Sequence, residues 1–151
     1  MAQQNAGLEK LKLMLSGLKQ GIQNIDLTMT LDVIRNDIEE DTAGYFADAH
    51  DPQGNHWPAF AHGGGQSHLI QSGDLLTAAL ASVRRAQIGP HSLRIPFYGP
   101  SYGIFHMIGT KYMPKRKWFG ISTDRYDSIV GQIKITIAQQ VRASMRQQGG
   151  F

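Results

Sequence analysis

At 151 residues the chain has room for one domain and not comfortably for two, and 41% hydrophobic against 18% charged residues is a globular mixture, which excludes a chain that stays disordered. It has no cysteine, so disulfides, thiolate metal sites and thiol nucleophiles are excluded together. The net charge of +3 is unevenly spread: residues 1–75 hold four Lys/Arg and ten Asp/Glu, net −6, whereas residues 76–151 hold eleven and two, net +9. Two readings of that split stay open, subunits meeting head to tail with acidic surface on basic surface, or halves that interleave in the fold and cancel. No apolar run approaches the roughly 18 residues needed to cross a bilayer, and the first residues lack a basic-then-apolar secretion signal; a soluble, unexported chain without membrane partners is expected.

Leu8, Leu11, Leu15, Leu18 and Ile22 are spaced 3, 4, 3, 4, the stripe of an amphipathic helix or a two-heptad seam that needs a partner. Gly21 and Asn24 interrupt it. The period resumes with Leu27, Leu31, Ile34, Ile38 and Tyr45, predicting a second helix to about Ala49 whose outer face carries Asp32, Asp37, Glu39, Glu40 and Asp41. Residues 1–24 therefore read as an amphipathic extension and 25–151 as a single domain.

Periodicity vanishes from His50 to Ser72, where Asp51-Pro52-Gln53-Gly54-Asn55, Trp57-Pro58 and Gly63-Gly64-Gly65 predict a long loop with Trp57 packed on something. A short helix through Leu80, capped by Ser72 or Asp74, follows. Residues 82–88 and 91–98 predict a hairpin about Gly89-Pro90, with Leu93, Ile95 and Phe97 alternating and Pro96 marking an edge. Pro100 to Ile108 predicts a short helix, and Lys111 to Gly120 a basic, aromatic loop or irregular strand. Ser122-Thr123-Asp124 then caps a last helix carrying Ile129, Ile133, Ile137 and Val141, with strand as the local alternative at 133–137 and a frayed tail from Gln147. The expected fold is α+β: long N- and C-terminal helices packed on a small antiparallel sheet, with long irregular loops.

Catalytic chemistry finds little support. His56, His62 and His68 recur every six residues, not at the i, i+4 spacing that sets two imidazoles on one helical face. There is no Gly-x-Ser-x-Gly elbow and no Gly-Lys-Ser/Thr phosphate loop, and the paired carboxylates lie on an exposed helix face. No catalytic residue, metal site or cofactor is assigned. Lys111, Lys115, Arg116 and Lys117 with Tyr112, Trp118 and Phe119 combine phosphate-neutralising charge with stacking faces, which suits nucleic acid, and equally the Arg- and Trp-rich centre of a protein interface.

Three ordered blocks resemble a family. Asp51-Pro52-Gln53-Gly54-Asn55-His56-Trp57 after an acidic helix, His68 to Leu75 with its Ser72-Gly73, and Tyr102 to Gly109 followed by Met113 to Ser122 resemble the phage virion-morphogenesis, or tail-completion, family of Mu-like contractile-tailed phages. The likeness covers about residues 25–140. Met107, Lys115 and the Gly63–Gly65 stretch depart from the family's pattern.

The resemblance implies a non-enzymatic virion protein of the tail or neck, assembled in the host cytoplasm, that forms a ring needed for head–tail joining. Implied partners are itself, in a hexamer to match a tail tube or a dodecamer to match a portal, tail tube or sheath proteins, head connector proteins, and DNA passing through the ring. The candidate interface residues are Trp57, Lys115, Arg116, Lys117, Trp118 and Phe119, with Leu8, Leu11, Leu15, Leu18 and Ile22 as a helix seam. The expected mechanism is ordering of loops 50–71 and 110–121 as partners bury their aromatic side chains. The alternative function is a small basic DNA-binding accessory protein.

Overall fold

The structure, a computed structural model, describes residues 2–59, 69 and 73–149. In chain order it comprises α1 (Ala2–Gln23), α2 (Thr28–Asp48), α3 (Asp74–Arg84), β1 (Gln87–Gly89), β2 (Ser92–Arg94), α4 (Tyr102–Ile108) and α5 (Thr123–Gly149). The fold is α+β, with one two-stranded antiparallel sheet among the described residues.

The second helix forms where the 3.6-residue period predicts it, and its stripe Leu31, Ile34, Ile38 and Tyr45 is buried. Ala49 ends it in the left-handed conformation, φ 53°. Against this stripe packs α3, whose Leu75, Ala79 and Val83 recur at i, i+4, i+8 on one face. The α3 boundaries correct two expectations. Its cap is Gly73, at φ 75°, with no side-chain cap hydrogen bond, and not Asp74, which is already helical; Ser72 lies outside the described residues. The helix also runs four residues past Leu80, because Val83 is buried against α2 and the Ser82 hydroxyl satisfies itself on the Ala78 carbonyl at 2.7 Å.

The hairpin is present but short, pairing Gln87 with Arg94, Ile88 with Leu93 and Gly89 with Ser92 around Pro90-His91. Its apolar face, with Ile95 beyond the strand, packs on the α2 cluster of Leu31, Ile34 and Ile38, and α5 meets the same cluster through Ile129, Ile133 and Ile137. Those last three lie on one face of a continuous helix, which removes the strand alternative at 133–137. The predicted cap is made: Ser122 Oγ accepts the Arg125 amide at 3.1 Å. The helix continues through Gln147 to Gly149, so no tail begins at Gln147.

Residues met by α5 fall steadily in number along it: Arg125 meets Asp41 and Asp37, Thr136 meets Thr30, Gln140 meets Asp26 and Ser144 meets Gly17. Both α1 and α2 therefore run antiparallel to α5, one after the other. Their joint is pinned on two sides. Gln140 exchanges hydrogen bonds with both backbone groups of Asp26, and the hairpin turn holds Leu27 N–H to the Pro90 carbonyl at 2.8 Å. No described side chain of α1 enters either core cluster; the helix rests on α5.

Candidate protein interfaces

The three blocks that carry the family resemblance converge on one cluster. Asp51 Oδ1 accepts the amides of Gln53 and Asn55, both at 2.9 Å, which folds the Asp-Pro-Gln-Gly-Asn turn back and returns Trp57 N–H to the Ala49 carbonyl at 2.7 Å. Burial pushes the Asp51 carboxyl up, but the hydrogen bonds from Asn55 and Gln53 together outweigh it and hold the group below its usual range. The Trp57 ring then lies edge-on to Phe46 at 5.6 Å, its indole N–H donating to the Lys117 carbonyl at 3.0 Å. From the third block, Trp118 packs on Phe97 at 5.0 Å and Phe46 at 6.1 Å and donates to the Gly103 carbonyl at 2.8 Å. The second block supplies Leu69 and Leu75 to the same cluster.

Close to Trp118 in sequence, Arg116 turns its guanidinium onto the 58–59 backbone: Nε donates to Pro58 O and Nη2 to Ala59 O, each at 2.9 Å, while its backbone N–H donates to His106 O at 2.7 Å. Trp57, Trp118 and Arg116 are 5%, 4% and 1% exposed. This corrects their assignment as partner-facing residues. Their polar atoms are spent on backbone carbonyls of the same chain, so they fix segments 50–59 and 110–121 in the free subunit instead of waiting for a partner to order them. Phe119 is half-buried between the two core clusters, and of the basic run Lys115 is exposed and Lys117 half-exposed. Residues 60–68 and 70–72 of the predicted loop, with Gly63–Gly65, His62 and His68, lie outside the described residues.

His106 sits under this cluster with Nδ1 buried and unpaired, its ring edge-on to Tyr102. Burial, and then the Arg116 charge, hold its pKa below the ordinary 6.5. Among the described residues no three His, Asp or Glu are placed to hold a metal ion. An apolar gap of about 30 Å³ beside Phe97 and Trp118 has room for one water-sized body and not for a cofactor.

The charge split is partly resolved inside the chain. Arg125 grips Asp41 at 2.7 and 2.9 Å and Asp37 at 3.0 Å, and Arg84 meets Glu39 at 2.6 Å, so basic residues of the second half neutralise part of the acidic face of α2. The hydrogen bond to Asp41 raises the Arg125 pKa further above its usual value, against the opposing effect of burial. Glu40 and Asp48 remain exposed.

The fold also leaves large apolar side chains uncovered. Leu11, Leu15, Leu18 and Ile22 of the seam are 53%, 57%, 38% and 56% exposed; the side chain of Leu8 is outside the described ones. The reason is that α1 meets α5 through a different strip. Gly17 and Gly21 are buried there, and a Cβ on Gly21 would stand 3.2 Å from Ser144 Cβ and 3.3 Å from Val141 Cα. Two glycines four apart allow this close approach and turn the leucines outward, a signal present in the sequence that the leucine spacing overshadowed. A second bare patch, Ile104, Phe105 and Ile108, lies on α4. It sits by the C-terminal end of α2, about 30 Å from α1 by the rise of that 21-residue helix. No helix among the described residues is long and apolar enough to cross a membrane. The chain matches no family model, no curated protein and no solved structure.

Proposed function

We propose that this chain is a structural, non-enzymatic component of a phage tail or neck, a ring-forming tail-completion protein needed for joining tail to head. The observation that carries the reading is the exposed seam of α1, where among the described residues Leu11, Leu15, Leu18 and Ile22 stay about half exposed on one stripe. A second, unlike apolar patch on α4 at the far end supports it, since it leaves the subunit a separate surface for a different neighbour such as a tail or connector protein. The family-like blocks support the same reading as a shared core, which sets the fold and leaves the partners to the surfaces. Six-fold symmetry is the favoured closure, with tail tube or sheath proteins on one side and head connector proteins on the other.

The runner-up, a basic DNA-binding accessory protein, is favoured by one feature: Lys111 lies over the exposed Tyr112 ring at 5.6 Å, close to exposed Lys115. Purified particles decide between them. Antibody labelling at the neck together with a ring-sized mass by light scattering is the expected result. A chain absent from finished particles, monomeric, and binding DNA with an affinity that collapses between 50 and 200 mM salt would put the DNA reading in its place.

A further inference from the structure

Resting on the self-assembly part of the reading above, we infer that the α1 seam of one copy docks on the outer face of α2 in the next. Leu11, Met14, Leu15, Leu18 and Ile22 are each about half exposed, which together presents on the order of 500 Å² of apolar surface, near the upper end for a monomer and approaching the ~800 Å² that each partner buries in a standard interface. Charge selects the surface that receives it. The α1 helix carries three lysines and one glutamate, net +2, with Lys12, ion-paired with Glu9 at 2.9 Å, and Lys19 along one side of the seam. The outer face of α5 carries Lys134, Arg142 and Arg146, and the α4 patch adjoins Lys111 and Lys115, so both repel it.

The acidic partner is α2: of its six carboxylates, Asp37, Asp41 and Glu39 are met by Arg125 and Arg84 and Asp32 by Arg35, while Glu40 and Asp48 stay exposed. On its outer face Met29, Val33, Asn36 and Glu40 form a stripe spaced 4, 3, 4, with Met29 79% and Val33 50% exposed. Leu11 to Ile22 and Met29 to Glu40 are each eleven helical steps, about 16 Å, so the stripes match in length and period, with Met29 and Val33 supplying the apolar end of the α2 stripe. Glu40 is the exposed carboxylate on this stripe that meets the lysines; Asp32 beside it is already ion-paired with Arg35 at 2.9 Å. Donor and acceptor surfaces differ, so the contact is heterologous and propagates from copy to copy.

Two variants test it. Leu15→Lys with Leu18→Lys spoils the seam and leaves the α2 face intact; Met29→Lys with Val33→Lys does the reverse. All four positions are exposed, and far-UV circular dichroism verifies that both variants fold. In sedimentation equilibrium the wild type should self-associate, each variant alone should weaken association at least a hundred-fold, and the two mixed should form one-to-one pairs, since each keeps the surface the other lost. Should a variant not fold, Lys12→Glu with Lys19→Glu replaces the seam variant and Glu40→Lys the face variant, with the same rescue on mixing expected.

Wild type that stays monomeric to 100 μM, whether or not it sediments with anionic phospholipid vesicles, overturns the inference. So does an α2-face variant that associates like the wild type, the result if seam packs on seam, and so does a mixture that stays monomeric. Particles that hold the chain as rings although mixing fails would remove this contact alone. Complementing variants of a chain absent from particles would remove the tail reading and leave the contact standing.

Discussion

Replacing Trp118 separates a core role from a partner-binding role. Its ring is almost wholly enclosed, packed on Phe46, Phe97 and Phe119, and its N–H is the donor to the Gly103 carbonyl at 2.8 Å. Trp118→Ala removes that ring from the junction of α2, α4 and the 110–121 segment and should cost about 3–5 kcal/mol, the range for emptying a buried aromatic site. Against a total of about 5–15 kcal/mol for a domain, that leaves a barely folded chain. Trp118→Phe keeps most of the packing but leaves the Gly103 carbonyl without its donor, for a smaller loss of about 1–3 kcal/mol.

Urea unfolding followed by circular dichroism reads both. With a slope near 2 kcal/mol/M the Ala variant's midpoint should fall by about 2 M and the Phe variant's by about 1 M. Trp57, the other of the chain's two tryptophans, gives an independent fluorescence probe in both variants. A Trp118→Ala protein whose midpoint moves by less than about 0.3 M would refute the core assignment. If it also failed to join tails to heads, the residue would return to the interface.

Gly21→Leu should pry α1 from α5, at a cost of about 1–3 kcal/mol in docking energy, because its Cβ already reaches the Val141 backbone. Hydrogen exchange should then rise over residues 9–23 while α2 stays protected, and unchanged exchange would show that the close approach is not needed. Arg125→Ala leaves Asp37 and Asp41 facing each other without their shared cation; with side chains about a fifth exposed, the loss should be about 1–2 kcal/mol in thermal or urea unfolding, and a change within 0.3 kcal/mol would mean water replaces the guanidinium.

His106 predicts a pH window. Its folded pKa lies below 6.5, so below pH 6.5 the unfolded chain binds the proton more readily and stability falls as pH drops toward the folded value, while above 6.5 this contribution is complete. The lowered carboxyls of Asp26 and Asp51 act only below about 3.8, so the windows separate. In His106→Gln the decline between pH 6.5 and 5 should flatten; an unchanged slope would place its origin elsewhere.

The sequence by itself determined the helices and most of what they bury. The stripe from Leu27 to Tyr45, the cap at Ser122 and the turn at Pro90 are local signals, each set by neighbours within a few residues, and each was legible. The seam of α1 was legible as a stripe as well. Only the tertiary structure decided which surfaces are bare. Whether Trp118 faces a partner or a core depends on Phe46 and Phe97, tens of residues away, and a Trp-rich basic segment has the same composition in either place. The acidic face of α2 was likewise half-answered by Arg84 and Arg125, whose approach no spacing records. Long-range pairing selects among chemically equivalent uses of a side chain, and for that reason periodicity located the elements while packing assigned the core and the interface.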